Sequence, residues 1–271
     1  MRKYSVLMSL YIKEKPEYLK QSIQSMIDQT VIPDEIVIVK DGPITSELND
    51  VLNEYIDKYP KIIKIVESKE NIGLGMALNL GLKNCRNELV ARMDTDDISL
   101  PDRCEKQLEM FEKDNELVIV GTMVDEFYDN PNIIISSRIV PTEYKDIYEF
   151  AKRRSAFNHP TVMYKKSKVF EVGGYSDLRR NQDVDLFGRM LFAGFKAANI
   201  DKSLLLFRSN SNLLKRRRSW ENTRSYIATI RKLHHIGYSS FIDYIIVLLS
   251  QTIMFLCPIK MQNWLYKKFL R

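Results

Sequence analysis

The 271-residue sequence predicts an α/β protein built on a mostly parallel sheet, with helices closing its C-terminal end. Three observations carry that expectation. Four short, β-rich apolar runs begin near Tyr4 (YSVLMSL), Glu35 (EIVIVK), Ile62 (IIKIVE) and Glu88 (ELVARM). A helical pattern fills each gap, giving a repeat of about 30 residues, the length of a βαβ crossover. From residue 211 onward the chain turns basic and holds two long helical segments.

Each element follows from its residues. Residues 16–29 put Leu19, Ile23, Met26 and Ile27 on one helical face, and Pro16 suits the first turn, where an N–H has no intrahelical partner to lose. Leu48, Leu52, Tyr55 and Ile56 repeat the pattern in a second helix, and Met76 to Leu82 supply a third. Further on, ELVIVGTMVDEFYD and NIIISSRIV read as strands. NHPTVMYKKSKVFEVGGY reads as strand, turn and Gly-Gly loop. NQDVDLFGRMLFAGF reads as a helix whose start carries Gln182, Asp183 and Asp185. KSLLLFRSNSNLLKRRRSW is a strand followed by a basic loop, and helices over 220–236 and 239–255 end the regular structure.

Composition bounds the function. The apolar (45%) and charged (28%) fractions are those of an ordinary globular protein. Three cysteines, Cys85, Cys104 and Cys257, suggest no disulfide framework, so a reducing compartment is expected. The start, MRKYSVLMSLYIKEKPEYL, has too short an apolar run for a signal peptide and reads as a first strand. The net charge of +6 is unevenly spread: residues 201–271 hold 13 Lys/Arg against 3 Asp/Glu, or +10, leaving −4 on the first 200. A basic end suits a phosphorylated ligand, anionic lipid or nucleic acid. Nucleic acid is disfavoured, because aromatics are not interleaved with the KRRRSW run as a stacking platform requires.

In parallel sheets ligands bind beyond the C-terminal strand ends. That rule selects Ser9–Lys13, Asp41-Gly42, the loop around Asn71, and Asp94–Asp97. In ARMDTDDISLPDR an apolar strand runs into three carboxylates within four residues. A polar turn with capping acids is the plain reading; a grip on one hard cation, Mg²⁺ or Mn²⁺ shared with phosphates, is the functional one. A calcium loop fails, because the sixth position is Ser99 rather than glycine and Pro101 interrupts. A phosphatase of the aspartyl-nucleophile type would carry its pair after the first strand, not the fourth. Gly73-Leu74-Gly75 is a poor dinucleotide fingerprint, having Leu78 at the third glycine position and following the third strand. Asp41 ends the second strand as a turn acid or a base or ribose contact. His159 has no second His or Cys nearby for zinc. Asp183 and Asp185 cap a helix or act from it.

The ordered set SVLMSLY, DEIVIVKDG, NIGLGMALNLGL, ARMDTDD…PDR, HPTVMYKK, GGY, QDVDLFGRM and LLLFR resembles the family-two inverting glycosyltransferases with the A-type fold, above all the bacterial capsule, exopolysaccharide and O-antigen enzymes. The resemblance spans residues 4–210. It implies a Rossmann-like nucleotide-binding half over 1–100 and an acceptor half over 101–210, with 211–271 as a basic loop and membrane-associating helices. Ser9, Tyr11 and Asp41 match positions that hold the base and ribose of a nucleotide sugar, and Asn71 and Gly73 match the loop beside it. Asp94 and Asp96 match the motif that holds ribose and the diphosphate-bound metal, with Asp97 adjacent. Asp183 matches the catalytic base. Gln182 stands where the family usually has Glu, and Ile12 where it usually has Asn.

The expected function is transfer of one sugar, with inversion, from a nucleotide sugar, most simply a UDP-sugar, to a lipid-linked oligosaccharide at the inner face of the plasma membrane, with Mn²⁺ or Mg²⁺ as cofactor. Arg216, within KRRRSW, is expected to contact the donor diphosphate. Residues 240–271, an interrupted apolar run followed by Trp264, Tyr266, Phe269 and basic residues, suit a membrane interface. The alternatives are a sugar-phosphate nucleotidyltransferase, which would need a Gly-rich loop after the first strand, and a non-catalytic binding protein for nucleotide sugar or anionic lipid.

Overall fold

The computed structural model describes residues 3–209 and 219–257. Arg216 and the segment 258–271 lie outside the described residues. One sheet runs through the chain in the order β3-β2-β1-β4-β8-β6-β9-β5, with β7 paired to β6. Strands β1 (Tyr4–Leu10), β2 (Glu35–Lys40), β3 (Ile63–Glu67) and β4 (Leu89–Met93) are mutually parallel and joined by α1 (Pro16–Ile27), α2 (Ser46–Lys58) and α3 (Leu74–Asn84). The short β5 (Ile98–Ser99) precedes α4 (Arg103–Lys113) and the long β6 (Leu117–Phe127). After β7 (Ser136–Arg138) and α5 (Tyr144–Ala151), a 3-10 turn at His159–Thr161 leads into β8 (Met163–Lys165), which runs antiparallel between β4 and β6. Helices α6 (Lys166–Glu171) and α7 (Gln182–Phe192), strand β9 (Lys196–Arg208), and helices α8 (Trp220–His235) and α9 (Phe241–Leu256) follow.

Both faces of the sheet are covered, which is why β1, β2 and β4 read as almost unbroken apolar runs. Leu19, Ile23 and Met26 of α1, Leu48 and Leu52 of α2, and Leu108 and Phe111 of α4 pack on one face. Ala77 and Leu78 of α3, Ile147 of α5, Leu186 and Met190 of α7, and Leu233 of α8 pack on the other. Gly188 lets α7 and α8 approach closely, since a Cβ there would lie 2.6 Å from Leu233 Cδ1. The C-terminal pair is bolted down by ions as well. Lys232 Nζ of α8 lies 2.6 Å from Asp185 of α7, and Asp243, in the capping box of α9, pairs with Arg153.

Three local expectations differ. Of NIIISSRIV only Ser136–Arg138 is strand, while Ile133, Ile134 and Ile135 are exposed in the preceding loop. This segment pairs only with β6, at the sheet's margin. Lys166–Glu171 is helical where a turn was expected, and α5 was not anticipated although Ile147 and Ala151 mark its buried face.

Candidate active site

The C-terminal ends of β1, β2 and β4 converge at one edge. Ser9 lies in β1, half-buried, and Tyr11 just beyond it is exposed. Asp41 is buried and fastens the loop before α3: its Oδ1 accepts from the Ile72 amide at 2.7 Å and its Oδ2 from Asn71 Nδ2 at 3.0 Å. Burial raises its pKa, opposed by the Ile72 and Gly73 amides. Gly42 makes that approach possible. It sits at φ +84°, and a Cβ on it would lie 2.7 Å from the Asn71 nitrogen. The structure therefore brings Asp41, Asn71 and Gly73 together across 30 residues of chain.

The carboxylates after β4 form a second cluster. Ligand oxygens of Asp94, Asp96 and Asp97 all lie within 4.8 Å of one another. Asp94 pairs with Arg92, whose side chain is buried inside β4. The loop is strapped from both sides. Ser22 of α1 donates to the Asp94 carbonyl at 2.6 Å, and Thr95 donates to Glu14 at 2.8 Å. Arg208, the last residue of β9, donates its amide to Asp97 Oδ1 and its Nε to the Asp96 carbonyl, each at 2.8 Å. Its guanidinium lies over the Tyr18 and Phe127 rings, at 3.9 and 4.5 Å from their centroids. Arg103, fully buried, holds the end of β4 through the Arg92 carbonyl.

The cluster is short of positive charge. Burial first, then Asp94 and Glu14, push Asp96 up to about 7. Asp97 is raised as well by burial, then by Asp96 and Asp94. Asp97 Oδ2 is buried with no hydrogen-bond partner among the described residues. An orphaned buried carboxylate oxygen beside two further carboxylates is the environment that a hard divalent cation satisfies. The residues thus fit the expected metal, with Asp97 a candidate ligand alongside Asp94 and Asp96.

Asp183 stands in the first turn of α7, half-buried. Burial raises its pKa, opposed by the Val184 amide and its own, and then by Arg138 and Arg92. Arg92 therefore acts electrostatically on both Asp94 and Asp183. The residues just before the helix are unusual. Asn181 at φ +59° is the sole non-glycine residue of positive φ among those described, and Arg180 Nε, Asn181 Nδ2 and Gln182 Oε1 are buried without partners. Backbone strain of this kind gathers at functional sites. Asp185, two residues on, is structural: fully buried, it meets Lys232, Ser176 at 2.6 Å and Arg189 at 2.7 Å. Burial opposes its ionisation, but these partners prevail and its pKa is lowered. His159 bonds Tyr175 Oη at 2.9 Å, and burial, then Arg92, keep it neutral.

The profile of glycosyl transferase family 2 matches residues 5–179. The chain belongs to that family. It is 37% identical over 265 residues to the amylovoran biosynthesis glycosyltransferase AmsE of Erwinia amylovora, covering 98% of each chain. It is 36% identical over 271 residues to a UDP-Gal:alpha-D-GlcNAc-diphosphoundecaprenol beta-1,3-galactosyltransferase of Escherichia coli, covering 99% of this chain and 97% of that one. Among solved structures it resembles S. aureus TarS 1-349 in complex with UDP-GlcNAc (TM-score 0.67, 15% identity, 98% of this chain and 76% of that one). It also resembles the mannosyltransferase PcManGT of Pyrobaculum calidifontis in complex with GDP-Man and Mn²⁺ (TM-score 0.65, 13% identity, 98% and 79%). The family-2 chain thus has the A-type glycosyltransferase fold and is a glycosyltransferase, and the nucleotidyltransferase alternative falls.

Sequence reasoning missed Arg92, Glu14 and Arg208 as members of this site. Arg92 had a signal: an arginine inside the otherwise apolar strand LVARM. Arg208 closes the LLLFR motif, though no role was read from it, and Glu14 had no signal, because only the fold carries it to the carboxylate loop.

Proposed function

We propose that this family-2 enzyme moves one sugar from a nucleoside diphosphate donor, a UDP-sugar, to the hydroxyl of a lipid-linked oligosaccharide with inversion at the anomeric carbon. The observation that carries the reading is the charge-deficient carboxylate cluster after β4, coupled through Arg92 to Asp183. Asp41, Asn71 and Gly73 line the nucleotide side with Ser9 and Tyr11. Asp94, Asp96 and Asp97 would hold a divalent cation, which supplies charge stabilisation to the departing diphosphate. Asp183 takes the acceptor hydroxyl's proton as that oxygen attacks opposite the leaving group, and its raised pKa makes it a stronger base than a solvated aspartate. The names of the E. coli relative and the TarS complex support UDP and a diphosphate-lipid acceptor. The test is a panel of UDP- and GDP-sugars assayed for slow hydrolysis by the full chain with Mn²⁺ or Mg²⁺. Turnover of a UDP-sugar is expected, and no turnover of any donor would sink the reading.

The exposed face of α9 supports a reading of membrane association. Ile242, Ile246, Leu249, Ile253 and Leu256 recur at i, i+4, i+7, i+11 and i+14 and are 41–73% exposed. No helix among the described residues is long and apolar enough to cross a membrane. A 16-residue helix with such a stripe lies in an interface rather than spanning it, and in sequence it leads to the aromatic and basic residues 264–271. We place the enzyme on the inner leaflet, within reach of a lipid-linked acceptor. Replacing Ile246 and Leu249 with Asp should abolish flotation with anionic vesicles while donor hydrolysis persists; unchanged flotation would refute this face.

A further inference from the structure

The hairpin that joins β6 to β7 carries an apolar surface for which the transfer reaction has no use. Tyr128, Ile133, Ile134, Ile135 and Ile139 are 39–69% exposed. We propose that this hairpin is a second membrane contact, seated beside α9 in the headgroup boundary of an anionic bilayer, and that it holds the carboxylate site close to the leaflet. The inference rests on the membrane reading of α9 given above and deepens it.

Large apolar side chains gathered on one exposed hairpin mark a surface that meets lipid or protein. Continuity with α9 points to lipid. Ile139 follows Arg138, whose Nη2 donates to the Ser155 carbonyl at 3.0 Å. Arg153, two residues before Ser155, pairs with Asp243 in the first turn of α9. Asp243 adjoins Phe241 and Ile242, 63% and 66% exposed, where the apolar row of α9 begins. The hairpin and the start of α9 are thus tied to one short segment, residues 153–155. The other limb of the hairpin reaches the site. Tyr128 follows Phe127, whose ring lies under the Arg208 guanidinium and whose carbonyl accepts from the Ser209 amide at 2.8 Å. The hairpin therefore connects the support of the carboxylate loop to the apolar face of α9.

The backbone suits a medium poor in water. The Ile133 amide donates to the Asn130 carbonyl at 3.0 Å, the Asn132 amide to Asn130 Oδ1 at 3.0 Å, and the Ile135 amide to the Glu126 carbonyl at 2.8 Å. These donors keep their partners when solvent is withdrawn, and unmet amides are what bar an irregular loop from lipid. Charge selects the kind of surface. No Lys or Arg lies between Asp125 and Ser137, so the hairpin itself supplies only apolar contact. Helix α8 packs on α9 through Trp220 on Phe255 and His234 on Phe241, and it presents Arg224 and Arg231 exposed. Cations flanking an apolar row draw it to anionic headgroups.

The test uses the full chain with vesicles of phosphatidylcholine mixed with phosphatidylglycerol. I134D/I139D should weaken partitioning by about tenfold or more, the loss of two apolar contacts. I32D, at an exposed isoleucine ahead of β2, should leave partitioning unchanged. UDP affinity of both variants should match the wild type and serves as the control for folding. Vesicles should also slow amide hydrogen exchange across residues 128–139 of the wild type, which decides the matter should I134D/I139D fail to bind UDP. If the wild type binds vesicles but I134D/I139D partitions equally well, or exchange at 128–139 does not move, the hairpin is no contact and the α9 reading stands alone. If the wild type is a dimer without lipid and I134D/I139D a monomer, the face joins two copies and the proposal is overturned. If the wild type binds no vesicles, the α9 reading fails and takes the hairpin with it.

Discussion

Two acidic regions of this enzyme differ in how their charge is balanced. In the loop after β4, buried Arg92 pairs with Asp94 and Arg208 bonds the Asp97 carboxylate only through its amide, so Asp96 is pushed up to about 7 and Asp97 keeps an orphaned oxygen among the described residues. On α7, Asp185 meets Lys232 and Arg189 and is held below the ordinary carboxylate range. Residues of one type thus serve opposite ends. Where protein cations neutralise a buried carboxylate, it fastens helices. Where they fall short, the missing charge must come from a ligand. Asp183 lies between these extremes: raised by burial, it is only partly compensated by Arg138 and Arg92.

The comparison breaks first at the uncompensated loop. Asp96→Ala should reduce transfer by at least about 10³-fold, because several kcal/mol of charge stabilisation depend on the cation site. Excess chelator should do the same to the wild type, with Mn²⁺ or Mg²⁺ restoring activity; full activity in chelator would remove the metal from the mechanism. Next comes Asp183→Asn, with turnover down by about 10²–10⁴ and UDP affinity nearly unchanged. A greater loss of turnover per folded molecule in Asp185→Asn would show that the base is misplaced by two residues.

At the compensated end, Asp185→Asn should act on stability. It strips the partner from Lys232 and Arg189, and breaking such a buried pair costs about 3 kcal/mol when one cation can rehydrate. Thermal unfolding against pH checks the sign. Asp185 has a lowered folded pKa, so its contribution is complete above the unfolded carboxylate value and is lost as pH falls through the folded one. The variant should lose that acid-side dependence, and an unchanged unfolding profile would deny the lock. The smallest effect concerns Asp183. As the proposed base with a raised pKa, it should give kcat an acid limb above the ordinary aspartate range, and Arg138→Met should move that limb to higher pH. A limb that stays put would mean that Arg138 does not act on the base.

Much of this architecture was legible because it depends on short-range pattern. The period-2 and period-3.6 alternations mark β1 to β4 and α1 to α3, and the strand-end rule points to Asp41, Asn71 and Asp94–Asp97. Less was legible where hydrophobicity and burial part company. The isoleucines at 133–135 look like a buried strand, yet they lie exposed beside the marginal strand β7. Asp183 and Asp185 cannot be told apart by type or spacing, since both are acids in the first turn of one helix.

By itself, then, the sequence determined the parallel α/β frame, the strand ends at which a ligand must bind, and the ordered motifs of a glycosyltransferase. Backbone propensity and apolar periodicity act over a few residues and can be read along the chain. Only the tertiary structure decided how each charge is balanced. Arg208 reaches Gln21 and the carboxylate loop from 187 and 112 residues away, and Lys232 reaches Asp185 from another helix. Coulomb energy depends on distance and burial in space, so whether a carboxylate is a fastener, a cation ligand or a base is settled only once the fold has chosen its neighbours.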